Sequence, residues 1–208
     1  MKKIVILISG RGSNMQALLK ADLPNAQIVA VLSDKKDAAG LKIAADFGVE
    51  TGFLSPKDFE SRADFDAALA QKIQAFQPDL VVLAGFMRIL SADFVRIFEN
   101  RLINIHPSLL PAFTGLNTHV RAIESGAKIH GCTVHFVTAD LDCGPVIIQA
   151  AVPVLDSDSA DSLAARVLKK EHQILPRAVA WFCENKLEIK GLRVEIADSE
   201  SAGSVFPR

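Results

Sequence analysis

The sequence predicts an α/β fold, doubly wound around a mostly parallel sheet, with an antiparallel strand pair in its C-terminal half. Three observations lead there. Short apolar runs rich in β-branched residues alternate with stretches of helical periodicity through the first half; such a rhythm builds a parallel sheet with helices on both faces. Two strand patterns then follow one another after residue 126 with only a turn between them, which suits antiparallel pairing. No internal repeat or linker-like segment interrupts the pattern, and 208 residues with half of them apolar can bury one full core.

The elements follow in order. Residues 3–9 (KIVILIS), 27–33 (QIVAVLS), 79–85 (DLVVLAG) and 102–106 (LINIH) are expected as buried strands. Between them, Asn14–Ala21, Ala38–Phe47 and Asp58–Phe76 are expected as helices; in the last, Phe59, Phe65, Leu69, Ile73 and Phe76 recur near helical spacing. Asn117–Ser125 is a further helix, stopped by Gly126. Strands over 131–137 and 145–154 flank the turn TADLDCG, Ser159–Asn185 returns to helix with Pro176 marking a kink or a break, and LEIKGLRVEI forms a terminal hairpin. The small and polar residues 197–208 are expected to fray. Residues 1–190 are assigned to a single domain and 191–208 to a C-terminal strand and tail.

Composition excludes several classes. The apolar runs are broken well before the roughly 20 residues a membrane span needs. Lys2 and Lys3 precede an apolar stretch too short for a signal peptide, without a small-residue cleavage pattern, so a cytoplasmic protein is expected. Three cysteines, Cys132, Cys143 and Cys183, lack metal-type spacing and fit a reducing compartment. A net charge of −1 with scattered Lys and Arg gives no footprint for a nucleic-acid backbone.

Two local patterns carry chemistry. SGRGSNM, Ser9 to Met15, joins a strand to a helix, where glycines let backbone N–H groups face an anion and the helix dipole assists. A phosphate can dock there; equally, the loop can be a tight turn with Ser13 or Asn14 capping the helix. A dinucleotide site is disfavoured because Met15 stands where the third glycine of G-x-G-x-x-G is needed, although Asp34 occupies the place of a ribose-binding acid. In INIHPSLLP, Asn104 and His106 project to the same side of an extended strand. Pro107 favours an extended His106, and Pro111 limits the next turn. An amide donor and an imidazole so held suit a developing oxyanion, or they satisfy loop backbone groups. Asp142, in the DLDCGP turn, can orient His106, and an anion near the ring favours its protonated form. Cys143 is a poor nucleophile beside that acid. His130 and Cys132 alternate to the opposite face from His135, so no metal site is expected.

SGRGSNMQAL, VVLAGFMRIL, INIHPSLLP and HGCTVHFVTADLDCGPVI, in this order and spacing, resemble the formyltetrahydrofolate-dependent formyltransferases over about residues 1–190. The resemblance implies a Rossmann-like formyltransferase fold with Asn104, His106 and Asp142 as catalytic residues. It implies that Gly12, Ser13 and Asn14 hold a ribonucleotide phosphate, with Glu171 near the acceptor portion. Folate-binding positions map to Arg62, to Met87, Arg88, Ile89 and Leu90, to Asn104, and to Thr138, Ala139, Asp140, Leu141 and Asp142. The Gly-Ser-Asn loop and single-domain length favour the member that uses 10-formyltetrahydrofolate as co-substrate to formylate 5'-phosphoribosylglycinamide. Expected partners are these small molecules alone, without metal, nucleic acid or membrane, in a monomer or homodimer. Members that hydrolyse the donor, or act on an aminoacylated tRNA, would carry added domains. The segment AFTGLNTH departs from the family pattern Lys/Arg-x-Pro-Gly-x-His: Ala112, Thr114 and Asn117 replace its basic residue, proline and histidine. Cys143 replaces a common glycine.

Overall fold

The computed structural model describes residues 1–197; from residue 198 on, the expected tail lies outside the described residues. Among the described residues nine strands form one sheet: β1 (Lys2–Ile8), β2 (Ala26–Ser33), β3 (Glu50–Phe53), β4 (Leu80–Leu83), β5 (Leu102–His106), β6 (Ile129–Phe136), β7 (Val146–Pro153), β8 (Leu187–Lys190) and β9 (Arg193–Ile196). Their order is β3-β2-β1-β4-β5-β6-β7-β9-β8. The first five pair in parallel, β5-β6, β6-β7 and β8-β9 are antiparallel, and β7-β9 is parallel through Val146 and Arg193. The doubly wound expectation and the antiparallel C-terminal pair are both met.

Six α-helices of the described residues cover the sheet: α1 (Ser13–Lys20), α2 (Ala39–Asp46), α3 (Arg62–Gln74), α4 (Ala92–Ile97), α5 (Thr118–Glu124) and α6 (Ala160–Cys183). Alternation along the strands builds two cores. Ile4, Ile6, Ile8, Val31, Val82, Ile103 and Ile105 pack with residues of α1, α2, α5 and α6. Val5, Leu7, Leu32, Val81, Leu83 and Leu102 pack with Phe65, Leu69, Ile73, Phe94 and Phe98 of the α3/α4 side.

The structure corrects several boundaries. The third helix begins at Arg62 rather than Asp58 because Ser61 caps it, accepting the Asp64 N–H at 3.2 Å, while Pro56–Asp58 form a separate 3-10 turn. Pro176 neither breaks nor ends α6, which runs unbroken for 24 residues. β3 and α4 were not expected. Among the described residues, no helix is long and apolar enough to cross a membrane.

Candidate active site

The segment after β5 is tied down by side chains from the antiparallel strands. Thr133 Oγ1 donates to Ser108 O (2.7 Å) and accepts the Leu110 N–H (3.0 Å). Gln149 Nε2 donates to Leu110 O (2.8 Å) and Thr133 Oγ1 (2.9 Å), and Thr118 Oγ1 donates to Pro107 O (2.7 Å). These bonds fix His106 at the carboxyl end of β5, where parallel strands leave room for ligands.

Asn104 and His106 point the same way as Leu102, toward the α3/α4 side, as period-two alternation requires. Asn104 stands opposite His135 in the β5–β6 register. His135 Nδ1 lies 2.9 Å from the Phe136 carbonyl oxygen and therefore carries the proton. Its Nε2 is then an acceptor and receives the Asn104 Nδ2–H at 3.2 Å. Burial, the largest influence, pushes the His135 pKa down, which keeps the ring neutral in this role. One amide hydrogen of Asn104 is thus pinned and the other remains available.

His106 Nε2 lies 3.0 Å from Phe113 O, so this nitrogen is the donor that anchors the 112–117 segment. Its Nδ1 faces Asp142, 3.6 Å from Oδ2. With Nε2 committed to a carbonyl, only the doubly protonated ring presents an N–H to that carboxylate. Asp142 has φ of +55°, which turns its carboxylate back from the β6–β7 turn; Oδ2 accepts the Gly115 N–H at 2.8 Å, and Oδ1 lies 4.0 Å from His135 Nε2. Asn104, His106 and Asp142 are therefore brought together, and His135 joins them. In the sequence His135 shows only as a possible metal ligand; its strand pairing with Asn104 is the signal that finds it. Among the described residues no group of three or more His, Cys, Asp or Glu side chains is arranged to hold a metal ion.

The other expected residues form two neighbouring groups. Gly12 is the N-cap of α1 at φ +73°, without a side-chain cap, so neither Ser13 nor Asn14 takes the capping role. A Cβ on Gly12 would come within 2.9 Å of Gly40 Cα, which is why this turn takes glycine. Asn14 is buried and donates from Nδ2 to Glu171 Oε2 at 2.6 Å, joining α1 to α6; Asn14 Oδ1 has no partner among the described residues. Burial pushes the Glu171 carboxyl pKa up, and the Asn14 bond opposes it.

On the α3/α4 side, Met87 (63%) and Ile89 (58%) are exposed, whereas Leu90 is packed into the core. The Arg88 guanidinium lies 4.8 Å from the Phe65 ring centre, and Arg62 Nε is 3.9 Å from Asp66. Thr138 Oγ1 donates to Asp140 O (3.2 Å), and Ala139, Asp140 and Leu141 are exposed beside Asp142. Exposed Cys143 donates from Sγ to Leu141 O.

A family profile described as formyl transferase matches residues 2–179. The chain belongs to the formyl transferase family. The phosphoribosylglycinamide formyltransferase of Escherichia coli K12 is 50% identical over 189 residues, 89% of each chain. The trifunctional purine biosynthetic protein adenosine-3 of Drosophila melanogaster is 49% identical over 184 residues, 86% of this chain and 14% of that protein. The crystal structure of glycinamide ribonucleotide transformylase 1 from Symbiobacterium toebii superposes with a TM-score of 0.93 at 48% identity, covering 95% of both chains. This formyl transferase thus carries its family's sheet and places an amide, two imidazoles and a carboxylate at the sheet's carboxyl edge.

Proposed function

We propose that this chain transfers the formyl group of 10-formyltetrahydrofolate to the amine of 5'-phosphoribosylglycinamide, a step of purine biosynthesis. The observation that carries it is the convergence of Asn104, His106 and Asp142, with His135 pinning the amide. The similarity to the Escherichia coli phosphoribosylglycinamide formyltransferase supports the choice of acceptor.

The residues present suit both substrates. Gly12, Ser13 and Asn14 offer an uncapped helix start to a phosphate, and Glu171 stands behind them for the acceptor's polar groups. Exposed Met87, Ile89 and Leu141 offer apolar surface to the flat rings of a folate, while Arg62 and Arg88 supply charge for its carboxylates. Thr138–Asp142 and Asn104 border the same region.

In the reaction, the acceptor amine attacks the formyl carbon directly, and no covalent enzyme intermediate is required. Asn104 donates its free amide hydrogen to the oxygen that becomes negative, and the positive charge of protonated His106 beside it, its two N–H groups facing Phe113 O and Asp142, stabilises that oxygen. Asp142 holds His106 and stabilises its charge. A proton passes from the attacking amine, through water, to the departing folate nitrogen, so the products are the formamide and tetrahydrofolate.

The test mixes purified protein with both substrates and follows tetrahydrofolate. Its appearance only in the presence of the ribonucleotide supports transfer; appearance without acceptor makes the chain a hydrolase. Asn104→Ala should lower turnover about 100-fold or more; near-normal turnover in a folded variant refutes its role.

A further inference from the structure

Ser9 is where the chain leaves the sheet. Ile4, Ile6 and Ile8 face the core under α1 and α6, and Val5 and Leu7 face the α3/α4 core. Alternation therefore directs the Ser9 side chain to the α3/α4 side, while its main chain runs on through the glycine loop to α1 on the other. Its Oγ accepts the Met87 N–H at 2.8 Å, and its own N–H donates to Gly85 O at 3.0 Å. Gly85, at φ +79°, turns the segment so that both groups meet one residue. Ser9 is 3% exposed, so its own atoms in both bonds are shielded from solvent. One residue on, Gly10 O accepts the Gly40 N–H at 3.0 Å, which fixes the far side of the loop against α2.

From this double attachment we infer that Ser9 is a positioning residue that couples the two substrate subsites. It rests on the substrates proposed above. A phosphate drawn onto residues 12–14 sets the loop that begins at Ser9; Ser9 sets the amide of Met87, the first residue of the exposed run Met87–Ile89. Each ligand then favours the arrangement the other needs, and by linkage each strengthens the other by the same factor.

The probe pair is 5'-phosphoribosylglycinamide with tetrahydrofolate, which lacks the formyl group and cannot react. In the unsubstituted protein, saturating ribonucleotide should tighten tetrahydrofolate binding about 10-fold by calorimetry, with the reciprocal effect equal. Ser9→Ala should bring that ratio to about 1, and Ser9→Thr, which keeps the hydroxyl, should retain most of it. Ser9→Cys, near in size but a weak acceptor, gives the same readout should the alanine variant fail to fold. A purely structural role lowers the thermal midpoint or both affinities and leaves the ratio unchanged, which overturns the inference, as does a ratio of one in the unsubstituted protein. Absence of binding by either ligand to the unsubstituted protein refutes the substrates themselves and the coupling with them.

Discussion

Replacing His135 by phenylalanine keeps a ring in a site only 2% exposed while deleting both nitrogens. Two bonds are lost: Asn104 Nδ2 to Nε2 at 3.2 Å, and Nδ1–H to Phe136 O at 2.9 Å. The first has a net worth of about 1 kcal/mol, and leaving a buried carbonyl without this donor costs about 1–3 kcal/mol, so stability should fall by about 2–4 kcal/mol in urea denaturation. Removing an oxyanion donor outright costs about 100- to 1,000-fold in kcat. Here the Asn104 amide remains but is released from its acceptor; freedom among about three χ1 wells and about two amide orientations, with the correct one no longer selected, should cost roughly 6-fold.

His135 also lies 4.0 Å from Asp142 Oδ1, so a loss of activity alone does not say which neighbour it serves. The double variant decides. If His135 acts by aiming Asn104, then His135→Phe added to Asn104→Ala should lower kcat no further than Asn104→Ala alone, because the group being aimed is already gone. Losses that multiply would refute that account and assign the effect to Asp142; an unchanged kcat in the single variant would refute any role in turnover.

Two further outcomes follow from buried groups outside that cluster. His130 is 1% exposed, with Nε2 3.2 Å from His119 Nδ1, and burial followed by the neighbouring histidine's charge pushes its pKa from 6.5 down to about 4. The unfolded chain takes up this proton more readily than the folded one, so its contribution is complete above about pH 6.5 and is lost as pH falls toward 4. The urea midpoint should drop across that window, with a shallower slope in His130→Gln. Gly12→Ala should lower stability by about 1–3 kcal/mol through a left-handed alanine against the Gly40 main chain, and it should weaken ribonucleotide binding more than folate binding in paired titrations.

What the sequence made legible was local. From Ile4 on, β1 is like β4 an uninterrupted apolar run because both faces are covered, and the period of two alone places Asn104 and His106 side by side. β3 is not legible because, among the described residues, it is an edge strand paired with β2 alone and half exposed, so ETGF carries no burial pattern. α4, at six residues, is too short to show a period. The Asn104–His135 bond depends on a register set between residues 31 apart, and the Asn14–Glu171 bond spans 157 residues. Periodicity cannot report contacts of that kind; only the family resemblance pointed to Glu171.

The departures in the 112–117 segment are explained by which atoms it uses. Its two bonds to His106 and Asp142 come from the main chain: Phe113 O accepts from His106, and the Gly115 N–H donates to Asp142. The Arg121 guanidinium holds it from outside, donating to the Thr114 and Leu116 carbonyls, again to main chain. Ala112 and Asn117 are exposed, and Asn117 sits at φ +57°, a conformation that histidine also tolerates. Restoring the family's residues as Ala112→Lys and Asn117→His should therefore leave kcat within about 3-fold, since no bond to His106 or Asp142 changes. Gly115→Pro deletes the N–H that Asp142 accepts and cannot adopt the native φ of +75°. A hydrogen bond to a charged group is worth about 1.5–3 kcal/mol, so kcat should fall by at least about 10-fold. Equal losses in the side-chain and main-chain variants would mean that side chains at 112 and 117 reach the reacting groups, and that the family pattern there is chemical rather than a matter of loop shape.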